Sequence, residues 1–372
     1  MFDEVRTLYR ITRGDRVVDD RPTPHTVIAE GEHRTLRRHG SESDLERARS
    51  LGLPPVLLVP PLAVSARCYD LAPEMSVVAH LVATGRIPYV LDYGEMGYAD
   101  RHLGFEDLFD DIVPEAITRV LDDHRETNGG ERADVDLVAW SLGGTVSFLT
   151  VAAHPELPVR SITAVATPLN YSLVQPYPLV KQIVRPIGPA PVTYALKALG
   201  GIPAPLVRIA YRATAWQREL RKPGYIMRNA DNTEALARMQ VIDWFQDSMP
   251  GYPGRLAEQM WNNLVYRDEI ASGVLTFDDR QVDLTSIDVP IQLFGSHRDA
   301  IVSWAAAHHG VELFADSPAV HFTTVESSHL GLIAGTEAVA ETWPRIDGFL
   351  TALDDSDGEG RRPAKPSVTN GG

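Results

Sequence analysis

Six short, mostly apolar runs separated by segments with helical spacing limit the fold of this chain more than any other feature. Runs of this length suit strands that are buried on both faces of a sheet. The runs are Val56–Val59, Ile87–Leu91, Val135–Trp140, Ile162–Ala166, Ile291–Phe294 and Val320–Val325. Helical spacing marks Glu74–Thr84, Phe105–His124 and Gly143–His154. The alternation predicts an α/β fold with a mostly parallel central sheet flanked by helices.

The alternation stops between about Leu169 and Asp288, where the sequence is apolar, basic and rich in proline. A structureless loop of this length does not fit inside a compact domain, so an inserted helical cap is expected. The predicted division of the chain is a lead-in at 1–50, a core at 51–168 and 289–353, a cap at 169–288 and a disordered tail at 354–372. The lead-in holds two stretches that favour strands, near His25–Glu30 and Arg34–His39.

The strongest local motif is Val138-Ala139-Trp140-Ser141-Leu142-Gly143-Gly144, between an apolar strand and a helical segment. It nearly matches G-x-S-x-G, with Ala139 in the first glycine position. In such an elbow the serine occupies a strained turn that exposes its hydroxyl, and small neighbours let helix and strand approach closely. Ser141 is therefore the predicted nucleophile, and the alternative is a plain helix N-cap.

A nucleophilic serine needs a base, and the base needs an orienting acid. In α/β hydrolases these follow in the order serine, acid, histidine, each at the end of a strand. Asp299 follows the run that begins at Ile291, and His329 follows the run that begins at Val320. Ser141, Asp299 and His329 are the predicted triad, with His297 as the rival base.

Two backbone amides are expected to bind the oxyanion that develops during acyl transfer. Leu142, at the start of the helix, is one candidate. The other comes from the loop after the Val56–Val59 strand, where Pro60 and Pro61 have no N–H, so Leu62 and Ala63 both stay open. Trp140, directly before the serine, is included as a substrate-binding candidate.

Composition excludes several other classes of protein. The 50 acidic residues outnumber the 35 basic ones, and a net charge of −15 argues against nucleic-acid binding. A single cysteine, Cys68, excludes an internal disulfide and a cysteine-built metal site. No metal-binding histidine pair or glycine-rich phosphate loop is present, so no metal or cofactor is expected. The longest apolar run has nine residues and no signal peptide is evident, so a cytoplasmic protein without a transmembrane segment is expected.

Motifs along the chain resemble the catalytic subunit of class III polyhydroxyalkanoate synthases. They are Val59-Pro60-Pro61, Tyr69-Asp70-Leu71, Leu91-Asp92-Tyr93-Gly94, Ala99-Asp100-Arg101 with Asp107, the elbow with its paired glycines, Thr167-Pro168-Leu169-Asn170, Gly295 with Asp299-Ala300-Ile301-Val302, and His329-Leu330-Gly331. The resemblance runs in order from about Val56 to Leu353. It implies an α/β-hydrolase fold, acyl transfer from a CoA thioester, and association with a second subunit or with further copies of the chain.

The sequence also departs from that family at the elbow. The synthases carry a cysteine where this chain has Ser141, and Cys68 lies on another loop. The family's histidine after the acid is Ala300 here, and its glycine before the catalytic histidine is Ser328. A serine favours an oxygen-ester intermediate, as in esterases and lipases. We therefore expect a serine hydrolase or acyltransferase for a hydrophobic acyl or hydroxyacyl ester or thioester, with a synthase-like acyltransferase using hydroxyacyl-CoA as the alternative.

The cap segment is basic within an acidic chain. Residues 172–222 hold eight Lys or Arg residues against the single acid Glu219. One interpretation is a solvated face of packed helices. The other is a lid that admits an acyl chain and meets CoA phosphates or an anionic lipid surface. A non-catalytic subunit that binds lipid granules or a partner through this cap is the third functional hypothesis.

Overall fold

An eight-stranded sheet forms the centre of the fold. The structure is a computed structural model, and it describes residues 21–128, 133–214, 216–229 and 232–360. The sheet order is β1-β2-β4-β3-β5-β6-β11-β12. These strands are β1 His25–Ala29, β2 Thr35–His39, β3 Val56–Val59, β4 Pro88–Asp92, β5 Val135–Trp140, β6 Val159–Val165, β11 Ile291–Gly295 and β12 Val320–Thr324. The six strands from β4 to β12 in this order are parallel, and β2 joins β4 antiparallel. The predicted α/β fold is confirmed.

Helices cover both faces of the sheet. Those outside the insertion are α1 Glu42–Leu51, α2 Val77–Ala83, α3 Val113–Asn128, α4 Leu142–Ala153, α12 Trp304–His308, α13 Gly310–Leu313, α14 Gly331–Ala334 and α15 Trp343–Gly360. Alternate strand residues enter different cores: Leu57 and Leu137 join the cluster on one face, and Leu58 and Val138 join the cluster on the other. Burial on both faces explains why these strands are apolar at successive positions.

The insertion contains helices, one short hairpin, and a pair of two-residue strands that are distant in sequence. Its helices are α5 Tyr177–Val184, α6 Ala190–Leu199, α7 Ala204–Thr214, α8 Trp216–Arg228, α9 Thr233–Asp247, α10 Gly254–Gln259 and α11 Glu269–Ser272. Its strands are β7 Gly201–Ile202, β8 Tyr252–Pro253, β9 Val274–Phe277 and β10 Arg280–Asp283, pairing as β7–β8 and β9–β10.

The last third of the insertion is part of the hydrophobic core, which corrects the prediction of one cap over 169–288. Leu264, Leu275 and Leu284 are fully buried in the same cluster as the central strands. Phe277 on β9 packs against the ring of Phe109, with 5.0 Å between centroids. These side chains are buried because the β9–β10 hairpin packs on α4, away from the outer helices α5–α8.

The C-terminal helix corrects the predicted start of the tail at residue 354. α15 continues to Gly360, and Asp354 accepts hydrogen bonds from Arg86 and Arg160, at 2.5 and 2.7 Å. Arg160 also donates to the fully buried Asp136 at 2.6 Å. Burying two guanidinium groups requires carboxylate partners, and Asp354 supplies one of them. The rest of the predicted tail, 361–372, and the first 20 residues of the lead-in lie outside the described residues.

No helix in the described ranges has the length and apolar character needed to cross a membrane.

The buried His39 side chain should make the free energy of unfolding depend on pH. The side chain lies buried at the end of β2, and burial lowers its pKa from 6.5 to about 4. Between these values the unfolded chain holds a proton on this imidazole that the folded chain does not. Stability therefore falls by roughly 2–3 kcal/mol as the pH drops from about 6.5 to 4. Urea unfolding of a His39→Phe variant should show a flatter pH dependence over this window.

A His297→Gln variant is the control for His39, because this imidazole is largely exposed. It should keep the wild-type pH dependence. Parallel pH profiles for the wild type and His39→Phe would contradict the assignment.

Candidate active site

Ser141 is held in a strained turn between β5 and α4. Its φ of 53° and ψ of −128° are rare for a residue with a side chain. The Ser141 amide donates to the Val165 carbonyl at 2.8 Å, and Thr167 Oγ1 donates to the Ser141 carbonyl at 2.9 Å. Both backbone polar groups are thereby satisfied, and the side chain is half-buried at the end of the strand. Strain of this kind persists only where the surroundings enforce it.

The two glycines after Ser141 are required by close backbone packing. A Cβ at Gly143 would lie 2.3 Å from the Val59 carbonyl oxygen, and one at Gly144 would lie 2.0 Å from Thr167 Oγ1. A side chain at position 143 would displace the backbone at Val59 and Pro60, and one at position 144 would displace the Thr167 side chain that holds the Ser141 carbonyl. The helix therefore starts directly against the loop that follows β3, as the elbow motif predicts.

The structure brings Ser141, His329 and Asp299 together in one hydrogen-bonded series. Ser141 Oγ donates to His329 Nε2 at 3.0 Å, and His329 Nδ1 donates to Asp299 Oδ2 at 2.7 Å. The imidazole and the carboxylate are both buried. In this arrangement the imidazole can accept the serine proton while the carboxylate fixes its tautomer and stabilises its charged form.

Asp299 is oriented by its own turn. Its Oδ1 accepts from the amides of Ile301 and Val302, at 2.7 and 3.0 Å. One carboxylate oxygen is thus occupied by backbone donors, and the other faces His329. The sequence places an acid after this strand, but the paired amides appear only once the loop is folded.

Trp140 contacts His329, which corrects its assignment as a substrate-binding residue. Its indole N–H donates to the His329 carbonyl at 3.1 Å, and the two rings are 5.0 Å apart. The side chain is fully buried, so substrate does not reach it. Alternation along β5 turns Trp140 into the core beneath the histidine loop while Ser141 turns outward at the strand end. Trp140 is therefore a positioning residue.

Ser296 is a site residue that the sequence analysis missed. Its hydroxyl donates to the Ser327 carbonyl at 2.7 Å and accepts from the amides of Arg298 and Ser327, at 2.9 and 3.0 Å. One buried hydroxyl thereby joins the loop of Asp299 to the loop of His329. A serine in the turn after a strand is common, so only the spatial contact between the loops identifies it.

The predicted oxyanion candidates lie in two adjoining elements. Leu142 is the first residue of α4, where backbone amides have no acceptor within the helix. Leu62 and Ala63 are buried in the loop after β3, which packs against Gly143. Ala63 has a φ of 56°, a second strained position beside the elbow. The choice between the Leu62 and Ala63 amides stays a prediction.

Cys68, the alternative nucleophile, and His297, the rival base, lie in environments different from those of Ser141 and His329. Cys68 is fully buried, and burial raises the pKa of its thiol well above the ordinary range, which opposes thiolate chemistry. The His297 ring is largely exposed and stacks on Trp304 at 5.0 Å. His321 is on β12 and packs edge-on against Phe349. Of these histidines, His329 is the one bonded to Ser141.

One group of possible metal ligands occurs in the described ranges, formed by Glu32, His33 and Asp100. His33 Nδ1 is 2.8 Å from the Tyr93 carbonyl, and Nε2 is 2.9 Å from Asp100 Oδ1. Both ring nitrogens are thus engaged by protein acceptors, and the contacts tie the β1–β2 turn to the loop after β4.

The cap packs apolar side chains beside the site. Val207 and Tyr211 on α7 contact the cluster that includes Trp140 and Leu330, the neighbour of His329. Helix α9 joins the same cluster through the buried Phe245. The cap therefore contributes apolar side chains to the buried cluster that contains Trp140 and Leu330.

Residues 56–342 match the alpha/beta hydrolase family, and this span covers most of the chain. Together with the sheet order and the elbow, the match shows that the chain belongs to the alpha/beta hydrolase family. It is an enzyme of that family, and its sequence is also similar to a particular group of curated proteins.

That group is the poly(3-hydroxyalkanoate) polymerases. The chain is 25% identical to the polymerase subunit PhaC of Cupriavidus necator over 317 residues, which are 83% of this chain and 51% of the relative. It is 23% identical to PhaC of Allochromatium vinosum over 338 residues, which are 90% of both chains. The chain thus spans about half the length of the first relative and nearly all of the second.

Solved structures that are similar to this chain include an esterase and a mouse hydrolase domain protein. RhEst1 from Rhodococcus sp. ECU1013 is 15% identical with a TM-score of 0.47, over 90% of this chain and 100% of the other. Mouse alpha/beta hydrolase domain-containing protein 10 is 15% identical with a TM-score of 0.49, over 89% of this chain and 100% of the other.

A Trp140→Phe substitution tests the positioning role. It keeps an aromatic ring under His329 but removes the N–H that holds the histidine carbonyl. Loss of one buried hydrogen bond of about 1 kcal/mol should lower kcat roughly five- to tenfold, with KM unchanged, for an ester substrate.

The control is Trp304→Phe, which removes a comparable N–H, bonded to Thr324 Oγ1 at 2.8 Å, from a surface site. It should leave both constants unchanged. A rise in KM alone for Trp140→Phe would mean that Trp140 binds substrate after all.

Proposed function

We propose that the chain is a serine acyl-transfer enzyme that cleaves an ester or thioester of a hydrophobic acyl or hydroxyacyl group, in the manner of an esterase, lipase or thioesterase. The observation that carries the proposal is the continuous series of hydrogen bonds from Asp299 through His329 to Ser141 on the strained elbow. A serine used only to cap a helix needs neither a buried imidazole at its hydroxyl nor a carboxylate behind that imidazole.

In the acylation step, Ser141 Oγ bonds to the substrate carbonyl carbon as its proton passes to His329 Nε2. The imidazolium is stabilised by Asp299, which keeps its own negative charge. When the tetrahedral intermediate collapses, the carbon–oxygen or carbon–sulfur bond to the leaving group breaks, and His329 returns the proton to that group. The acyl group is then an oxygen ester of Ser141.

In the deacylation step, an acceptor hydroxyl gives its proton to His329 and attacks the acyl carbon. The bond between that carbon and Ser141 Oγ then breaks, and His329 returns the proton to the serine oxygen. Water as acceptor releases the free acid, and an alcohol as acceptor gives a new ester. During both steps the developing oxyanion is bound by the Leu142 amide and by the amide of Leu62 or Ala63. CoA enters only as the leaving group of a possible thioester substrate, and the proposal uses no cofactor or metal.

The hydrophobic character of the substrate is argued from the side chains around the site. Val207 and Tyr211 of the cap pack against the buried cluster that contains Trp140 and Leu330, the residue after His329. Apolar walls favour an acyl chain and exclude water from its binding site. The cap therefore favours a substrate with an extended apolar group.

Similarity to the poly(3-hydroxyalkanoate) polymerases favours a second candidate, a synthase-like acyltransferase that uses hydroxyacyl-CoA. In that function the hydroxyl of a second hydroxyacyl unit, in place of water, would accept the acyl group from Ser141. A second subunit or further copies of this chain would accompany that activity. The third hypothesis, a non-catalytic granule-binding or partner-binding subunit, requires that Ser141 have no reactivity.

Labelling with a fluorophosphonate tests the nucleophile. The wild-type protein should gain the mass of one phosphonyl group, measured on the intact protein, because His329 activates Ser141 towards phosphorus as towards a carbonyl. Ser141→Ala should gain none, and His329→Ala should label more slowly by orders of magnitude.

Ser328→Ala is the matched control, since this exposed serine sits beside His329 outside the hydrogen-bonded series. It should label like the wild type. Labelling of Ser141→Ala at the wild-type rate, or no labelling of the wild-type protein, would contradict the proposed nucleophile.

Product analysis separates the two catalytic candidates. Incubation with 3-hydroxybutyryl-CoA, followed by mass spectrometry, should give free CoA and monomeric 3-hydroxybutyrate if water is the acceptor, which is our expectation. Products with two or more linked units would identify the synthase-like function. CoA release that persists in Ser141→Ala would exclude both.

A further inference from the structure

The outer helices of the cap expose a concentration of large apolar side chains. Of the sixteen such side chains that are exposed in the described ranges, eleven lie between residues 173 and 227. We call this surface the cap face. Its members are Leu173, Leu179, Ile183, Ile187, Tyr194, Leu199, Leu206, Ile209, Leu220, Tyr225 and Met227. Clustered apolar surface of this kind marks an interaction site rather than ordinary scatter.

Helix α7 shows that this exposure does not come from a poorly packed helix. Val207 and Tyr211, four residues apart, pack inward on the cluster next to the active site. Leu206 and Ile209 lie on the opposite side and are exposed. The helix is apolar on both sides, so its outer side requires an apolar environment of its own.

The cap face is also basic. Residues 172–229 contain nine Lys or Arg residues and one acid, in a chain of net charge −15. Basic and exposed apolar residues alternate along α5 and the residues just after it. They are, in order, Leu179, Lys181, Ile183, Arg185 and Ile187.

Three other cations of the cap pair with acids on the elements behind it. They are Lys197 with Glu258, Arg212 with Asp247, and Lys222 with Asp243. These acids lie on α9 and α10, and none of them belongs to the segment that carries the cap face. These pairs balance the charge of three cap cations, and the positive charge interleaved with exposed apolar residues on the outer surface is that of Lys181 and Arg185.

Charge decides which occupant suits the cap face. A second copy docking face to face would bring two basic, apolar surfaces together, and their charges would repel. A bilayer with anionic headgroups offers negative charge at its surface and apolar chains directly beneath it. Apolar side chains interleaved with Lys and Arg on short helices are the pattern of a protein that lies in a membrane interface.

We propose that the cap face docks on the surface of an anionic phospholipid bilayer. In the docked state Leu, Ile and Met side chains of α5–α8 enter the boundary between headgroups and acyl chains, while Lys and Arg contact lipid phosphates. The chain lies on the membrane without crossing it. Membrane docking is independent of the proposed acyl-transfer chemistry.

Vesicle flotation with the full-length chain tests the proposal. The vesicles are phosphatidylcholine alone or phosphatidylcholine mixed with phosphatidylglycerol. The bound fraction on the mixed vesicles should exceed that on phosphatidylcholine by roughly tenfold or more at low salt, and should fall as salt is added. Equal binding to both vesicles, or binding to neither, would overturn the proposal.

Two variants separate the apolar and charged contributions. Ile183→Ser combined with Met227→Ser should abolish binding to the mixed vesicles. The matched control is Val311→Ser with Val339→Ser, two exposed apolar residues outside the cap face, which should bind like the wild type. Lys181→Gln with Arg185→Gln should weaken binding roughly tenfold, and Arg119→Gln with Arg125→Gln, on α3, should not.

Thermal unfolding confirms that each variant is folded, and light scattering measures its molecular mass. Cap-face variants that change the oligomeric mass but bind vesicles like the wild type would show that a second copy occupies the face. That result would overturn the proposal, whatever the activity at Ser141.

Discussion

The strained turn at Ser141 is the constraint on which the site depends. A φ of 53° at a serine is maintained because the strand before it, the helix after it and the Thr167 loop each fix part of its backbone. The same packing forces glycine at positions 143 and 144 and brings the loop after β3 against the helix start. The exposed hydroxyl, the free helix amide and the adjoining loop amides thus all result from one turn.

The fold and the principal site residues could be predicted from the sequence because each has a local cause. Strands buried on both faces must be apolar at successive positions, and the elbow needs small residues at fixed spacing. Ser141, Asp299 and His329 each follow such a strand, and carboxyl ends of parallel strands meet at one edge of the sheet. The order of elements along the chain was therefore enough to place the three side chains together.

The predictions were wrong or incomplete where a residue's role depends on contacts with residues that are distant in sequence. The sequence suggests that Trp140 binds substrate because it directly precedes the serine. Its positioning role is shown only by the buried hydrogen bond to the His329 carbonyl. Ser296 joins two loops that are distant in sequence. Asp354 lies in a polar stretch that suggests disorder, yet it pairs with Arg86 and Arg160 from elsewhere in the fold. The β9–β10 hairpin follows the cap helices in sequence but packs in the core.

The cap combines two environments in adjoining helices. Its inner side contributes apolar walls to the cluster beside His329, and its outer side presents apolar and basic residues to the surroundings. Residues of one helix therefore serve both the acyl group proposed for the site and the lipid surface proposed for the cap face.

In the proposed mechanism every transferred acyl group passes through an ester of Ser141. The most direct measurement is rapid acid quenching of the enzyme with 3-hydroxybutyryl-CoA, followed by peptide mapping in the mass spectrometer. A hydroxybutyryl adduct should appear on the peptide that contains Ser141. It should be absent from Ser141→Ala and accumulate more slowly in His329→Ala. An adduct on Cys68 or on another peptide, together with normal CoA release, would contradict it.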